Sequence, residues 1–328
     1  PSVATRSKIS LASSTDNTSL ARTSSCYVSH NQFTHSCFMR FKKQIEKVFW
    51  FVSPILRPEW IQRLLRHLGL RLPYFLAKQL NYRGLVTFAL RGKTLRMRSY
   101  NTPIEMTIFW KGLFNGREGA ELRFFDHAVQ DADIILDIGA NNGVYSLVAS
   151  TNDRAKIYAF EPVPFVCNML RENLALSGCK NVDVREVVVG ERVGAATLYI
   201  PYSGYVDIAS IEPEFVANRQ KDSASKIVCP MINVDAFLKQ KKVDGQAKVL
   251  CKIDVEGAEM RVIRGMSESL KDGHITFMVE ILNKASFTLL RNTIPQNYGF
   301  YPITGQGSLG SEIVAFEATV KNYYCQPR

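Results

Sequence analysis

A chain of 328 residues that is 46% hydrophobic can close a sizeable core, which sets aside the fibrous and wholly disordered classes. Its net charge of +11 is uneven: residues 1–130 hold 20 Lys and Arg against 7 Asp and Glu, and the remainder hold 21 against 23. The basic character therefore belongs to the N-terminal part. The seven cysteines (Cys26, Cys37, Cys167, Cys179, Cys229, Cys251 and Cys325) are odd in number and include no C-x-x-C pair. That pattern disfavours a disulfide framework or zinc site and suits a reducing, cytoplasmic compartment. The five histidines show no ligand spacing, so no metal is expected.

Residues 1–39 are expected to be a tail. Residues 1–36 carry fifteen Ser and Thr and a single acid, Asp16, a composition that cannot bury enough surface to fold. A Ser-rich, Arg-containing, acid-poor stretch also resembles an organellar transit peptide. From Arg40 to Arg83 there are ten Lys and Arg, two acids and many aromatics. Ile45, Val48, Phe49 and Val52 follow helical spacing, as do Ile61, Leu64, Leu65 and Leu68 before Gly69. Pro54, Pro58 and Pro73 are expected to cut this segment, residues 40–84, into short helices. Its longest apolar run is too short to span a bilayer. A basic, aromatic, amphipathic element suits peripheral contact with an anionic membrane, or simply packs on the core with its charges in solvent.

Leu85–Leu90 and Lys93–Ser99 read as a β-hairpin turning at Arg91-Gly92. Residues 104–129 look helical. From residue 131 strands and helices alternate, which predicts an α/β fold with a mostly parallel sheet. Asp131-Ala-Asp-Ile-Ile-Leu-Asp-Ile-Gly-Ala-Asn-Asn-Gly-Val-Tyr-Ser146 changes from strand to helix grammar within a few residues. Ile134, Ile135, Leu136 and Ile138 suit a strand covered on both faces, and Gly139 to Gly143 supply a turn that lets the backbone approach a ligand. The spacing matches neither a P-loop nor the G-x-G-x-x-G dinucleotide fingerprint. Asp137, at the strand end, can serve a cationic ligand group or the turn itself. Lys156–Val163 is a second strand, ending in Glu161, where an acid can hold ribose hydroxyls; Pro162 stops it. Residues 182–189 and 195–200 read as strands, and 202–228 as a long excursion, a candidate substrate-covering loop. Later come a helix at Asp235–Leu238, a strand at Val249–Val255, a helix after Gly257 and a strand at Ile275–Ile281. A helix near 284–292 and a last strand pair near 300–303 and 312–318 follow, leaving 319–328 as a tail.

Ile138-Gly-Ala-Asn-Asn-Gly-Val-Tyr-Ser146, Ala159-Phe-Glu-Pro-Val-Pro164, Lys252-Ile-Asp-Val-Glu-Gly-Ala-Glu259 and Met278-Val-Glu-Ile281, in that order, resemble the FkbM family of S-adenosylmethionine-dependent methyltransferases. The resemblance spans roughly residues 100–317. It implies a class I methyltransferase fold over 131–318, a seven-stranded sheet with helices on both faces. Residues 85–130 would cover the site. It further implies S-adenosylmethionine as cofactor and, usually, O-methylation of a small-molecule or glycan acceptor. Asp137, Gly139, Ala140, Asn141, Gly143, Tyr145, Glu161 and Pro162 would form the cofactor site, with Glu186 near the adenine.

A hydroxyl is a weak nucleophile, so a positioned base helps methyl transfer. Lys252, Asp254 and Glu256 share one strand face by the period of two. Glu256 is the first candidate base and Asp254 the second, Asp254 alternatively meeting the cofactor's amino group. Lys252 would orient these acids or the acceptor oxygen, with Glu280 as its expected partner, or form with Glu280 a purely structural pair. Two other functions compete: an RNA methyltransferase, disfavoured because no Asn-Pro-Pro-Tyr-type motif or RNA module is present, and a non-catalytic membrane-surface or interaction protein that keeps the fold.

Overall fold

The computed structural model describes residues 40–201, 209–219 and 224–328. Pro1–Arg57 and Pro58–Arg328 form two units. The tail expected over residues 1–39 lies outside the described residues. In the first unit, residues 40–56 form one helix, α1. Pro54 does not cut it, contrary to the sequence expectation. The Ser53 hydroxyl donates to the Trp50 carbonyl at 2.9 Å, the acceptor that a proline nitrogen cannot serve.

The second unit opens with α2 (Glu59–His67) and α3 (Tyr74–Leu80), each preceded by a proline at its N-cap. The hairpin follows as β1 (Leu85–Leu90) and β2 (Lys93–Arg98), in register Leu85 to Arg98. Arg91 and Gly92 both take positive φ, 47° and 76°, the turn whose twist matches that of paired strands. The expected helical stretch resolves into α4 (Pro103–Lys111) and α5 (Gly119–Ala128).

Seven strands form the main sheet: β3 (Ile134–Ile138), β4 (Lys156–Phe160), β5 (Val182–Arg185), β9 (Val249–Ile253), β10 (Ile275–Glu280), β11 (Tyr298–Pro302) and β12 (Asn322–Pro327). Their spatial order is β11-β12-β10-β9-β3-β4-β5. All neighbours pair in parallel except at β12, which is antiparallel to both β10 and β11. This is the class I methyltransferase sheet, and its order reverses between β3 and β9, where open α/β sheets hold their ligands. Both strands are buried at all five positions. Crossovers run through α6 (Val144–Ala149), α7 (Pro164–Leu176), α9 (Val234–Gln240), α10 (Glu259–Arg264), α11 (Ser267–Lys271) and α12 (Lys284–Thr293).

Two parts of the chain depart from the sequence reading. Residues 312–318 are not a strand, and the expected tail supplies β12, inserted between β10 and β11 with Tyr323 and Cys325 fully buried. Residues 182–189 split at a corner: β5 stays in the main sheet, while β6 (Val188–Val189) joins a second sheet of order β6-β8-β7 with β7 (Gly194–Pro201) and β8 (Ala224–Ile232). The expected excursion thus contains most of β8 and a helix, α8 (Pro213–Arg219); residues 202–208 and 220–223 lie outside the described residues. Pro230 lies within β8, opposite Ala195 of β7 and just outside the two-residue ladder with β6, so its missing N–H interrupts no bond to β6.

The hairpin and α4 are tied to the turn after β3 by one buried carboxylate. Thr102 and Glu105 form a reciprocal cap at the head of α4. Glu105 accepts the backbone N–H groups of Tyr100 (2.6 Å) and Thr102 (3.0 Å) and the Asn142 side-chain amide (2.7 Å). Asn142 in turn offers its carbonyl to Asn173 of α7 at 2.8 Å. Removing Glu105 leaves several buried donors unmet. Glu105→Ala is therefore expected to cost about 2–4 kcal/mol in urea unfolding; a loss under about 0.5 kcal/mol would contradict this role.

Candidate active site

A cavity of about 900 Å³ opens beyond the carboxyl ends of β3, β4, β9 and β10, at the upper end of the range for small-molecule sites. Its wall is shared by the turn after β3, the end of β4, the turn after β9, α4 and the connection from α4 to α5. Val188, Val189 and Leu198 of the second sheet, Val187 at the corner before it, and Ala209 and Ile211 of the expected excursion add an apolar side.

The turn after β3 is shaped by glycine. Gly139 takes φ +80°, and a Cβ there would sit 1.8 Å from the Asp254 carbonyl oxygen. Gly143 takes φ +92°, and its Cβ would press on Leu170 of α7 at 2.4 Å. No other residue gives this backbone path without strain. Glu161 fixes the turn from the neighbouring strand: its carboxylate accepts the N–H of Asn141 at 3.0 Å and of Val163 at 2.9 Å. Burial pushes this carboxyl up to about 7, against the pull of those two bonds.

Of the residues expected to meet the cofactor, Gly139, Ala140, Asn141, Tyr145, Glu161 and Pro162 line the cavity. Three stand outside its wall. Asp137 is fully buried behind the turn, where its carboxylate accepts the Ser146 hydroxyl at 2.6 Å; it supports the turn rather than facing the cavity. Gly143 packs on α7. Glu186 sits at the corner after β5, partly exposed and paired with Arg171 at 3.2 Å, so the chain presents Val187 to the cavity instead.

Lys252, Asp254 and Glu256 all line the cavity. Lys252 is 4% exposed and stands opposite Asp137 in the register of β3 and β9. Its ammonium pairs with Asp254 at 3.1 Å and lies 3.5 Å from the Gly139 carbonyl and 4.6 Å from the centre of the Tyr145 ring. The ion-pair partner is thus Asp254 on its own chain segment, where sequence reasoning placed Glu280; Glu280 also lines the cavity. Burial works against the ammonium, but Asp254, Asp137 and Glu118 together outweigh it and hold the charge. Glu256 sits in the turn after β9 with φ 52°, followed by Gly257.

Sequence reasoning missed Glu118. It occupies the N-cap of α5 without capping it, and lines the cavity. Its carboxylate accepts the Tyr145 hydroxyl at 3.4 Å. Burial, then the charge of Asp254, raises the carboxyl to about 7, with Lys252 opposing. An acid at the head of a helix reads as an ordinary cap, so sequence held no signal for it. Among the described residues no group of His, Cys, Asp and Glu is placed to hold a metal.

Glu118 binds its proton more tightly in the fold than in the unfolded chain, where a Glu titrates near 4.5. Its contribution to stability is therefore intact below that value and declines as pH rises towards about 7. Between about pH 5 and about pH 8, Glu118→Gln is expected to gain about 1–3 kcal/mol relative to the parent chain. Parallel stability profiles for the two proteins would contradict it.

Residues 137–301, half of the chain, match the Methyltransferase FkbM domain. Methyltransferase sdnD of Sordaria araneosa is 32% identical over 173 residues, covering 44% of this chain and 66% of that protein. Hexuronic acid methyltransferase AglP of Haloferax volcanii is 26% identical over 156 residues, 46% of this chain and 56% of that protein. The chain thus spans under two thirds of either relative. Among solved structures, methyltransferase FkbM from Methylobacillus flagellatus aligns at TM-score 0.36 and 13% identity, over 60% of this chain and 44% of that one. The matched domain begins at Asp137 and takes in the glycine turn, Glu161 and the Lys252–Glu256 segment, and the chain belongs to the FkbM family of S-adenosylmethionine-dependent methyltransferases.

Proposed function

We propose that this chain methylates a hydroxyl of a sugar or glycan acceptor, with a cavity carboxylate taking the proton. The observation that carries this is the pairing in one cavity of two differently tuned ends: the glycine turn with Glu161, and the Lys252, Asp254, Glu256 and Glu118 group. The first end fits S-adenosylmethionine. Its wall is backbone and small side chains at Gly139, Ala140 and Asn141, and Glu161 supplies a buried carboxylate at the end of the second parallel strand, suited to hydroxyl donors. Bound there, S-adenosylmethionine supplies an electrophilic methyl group.

The chain's own work is positioning and proton transfer. The Lys252–Asp254 pair fixes one wall and places positive charge where an acceptor oxygen loses its proton. Asp254 is committed to that ammonium. Glu118 is raised towards neutrality and can take a proton from a hydroxyl near pH 7. We therefore assign the base to Glu118, with Glu256 binding the acceptor. AglP is a hexuronic acid methyltransferase by name, which supports screening sugars first.

Methyl transfer from labelled S-adenosylmethionine to a panel of mono- and oligosaccharides tests this reading. Glu118→Gln is expected to lower kcat by about 10²–10⁴-fold, while Glu256→Gln chiefly raises KM. Equal loss of kcat in the two variants, or no transfer to any hydroxylated acceptor, would overturn it.

A further inference from the structure

Helix α2 turns only part of its apolar surface inward: Ile61 and Leu65 are half-buried. Trp60, Leu64 and Leu68 recur every four residues and so share a face, yet they are 67%, 46% and 72% exposed. On the protein side lies Gln62, fully buried, its amide donating to the Leu80 carbonyl at 3.1 Å. An ordinary surface helix turns its whole apolar stripe towards the core. The apolar surface continues beyond the helix: Leu70 is 40% exposed, and Tyr74 is 41% exposed while also lining the cavity. Exposed indole, aliphatic and phenol side chains thus recur from Trp60 to Tyr74, the last of them in the wall of the candidate active site.

The charges beside these side chains decide what they meet. From Pro58 to Gly84 there are five cations, Arg63, Arg66, Arg71, Lys78 and Arg83, and one acid, Glu59. Glu59 lies 3.6 Å from Arg63, in an ion pair, and Arg71, Lys78 and Arg83 are exposed. A second copy of this surface would bring like charge against like. Residues 1–57 are equally unsuited as a cover, with eight Lys and Arg against two acids. Exposed Trp and Leu flanked by unneutralised cations match an anionic lipid interface, where apolar side chains enter the acyl boundary and cations meet headgroups. The first unit carries the same chemistry in its own right: α1 exposes Phe41, Trp50, Phe51 and Ile55 and contains Arg40, Lys42, Lys43 and Lys47. Among the described residues no helix is long and apolar enough to cross a membrane, so contact by these helices would be at the surface.

We propose that the α2 face bearing Trp60, Leu64 and Leu68, with Leu70 and Tyr74, docks on an anionic lipid surface, and that the acceptor is a lipid-anchored glycan entering past Tyr74. The docking stands on this surface alone; the acceptor class rests on the methyl-transfer reading above.

The test is flotation of the full chain with phosphatidylcholine vesicles containing roughly a third phosphatidylglycerol, comparing the parent with Trp60→Glu/Leu64→Glu/Leu68→Glu. S-adenosylhomocysteine binding and the melting midpoint serve as controls that both proteins are folded. The expected result is at least about tenfold weaker vesicle binding by the variant with both controls unchanged, and weak binding of the parent to pure phosphatidylcholine. A single substitution, Leu68→Glu, is expected to weaken binding in the same direction if the triple variant misfolds. Equal flotation of folded parent and variant would overturn the docking. So would a parent that ignores anionic vesicles, or one that self-associates through this face and becomes monomeric in the variant. If docking fails while S-adenosylhomocysteine still binds, the reading of the cavity survives without its lipid acceptor.

Discussion

A lysine ammonium buried in the central strand of a parallel sheet is the constraint on which the rest of this site depends. Lys252 lies on β9, next to β3, at the one place where strand order reverses. An isolated charge there would be untenable. Its neutralisation sets the local architecture: Asp137 stands across the ladder, Asp254 closes on it two residues along, and the Tyr145 ring packs over it. The turn after β3 must then run close against the Asp254 backbone, which is why residue 139 has no side chain.

From that fixed centre the cavity divides by electrostatics. Glu161 is buried among backbone donors on the β4 side, away from the lysine's direct pairing, and accepts N–H groups that hold the glycine turn in shape. Glu118 arrives from the head of α5 and stands within the influence of both Lys252 and Asp254. Both are raised by burial, but their partners differ: one bonds to backbone, the other to a tyrosine hydroxyl within reach of the charged pair. Different surroundings give two carboxylates different work on one fold.

The sequence made the scaffold legible wherever local chemistry dictates it. Ile134 to Ile138 could only be a central strand, Gly139 to Gly143 only a tight turn, and Glu161 and Asp254 had to fall at strand ends. What escaped was set by tertiary contact. Glu118 reads as a cap until the head of α5 is seen in the wall of the same cavity as Lys252 and Asp254. Asp137 and Tyr145 sit near one another in sequence, yet one faces inward to Ser146 and the other lines the cavity. Glu186 lies outside the cavity wall because the chain turns a corner after Arg185, a change of sheet that the valine-rich run Val182-Asp-Val-Arg-Glu-Val-Val-Val189 conceals. β12 is six residues with polar ends, and only its insertion between β10 and β11 makes Tyr323 and Cys325 core residues. In α2 the helical period was legible but the buried face was not, since Gln62 goes inward through a bond to Leu80.

The most direct measurement is calorimetric titration of the full chain with S-adenosylhomocysteine, alongside Glu161→Ala. Micromolar binding, about −8 kcal/mol, that is lost in a variant still showing a cooperative melt is the expected result. Unchanged affinity in that variant, or no binding by the folded parent, would contradict the assignment of this cavity as the methyl-donor site.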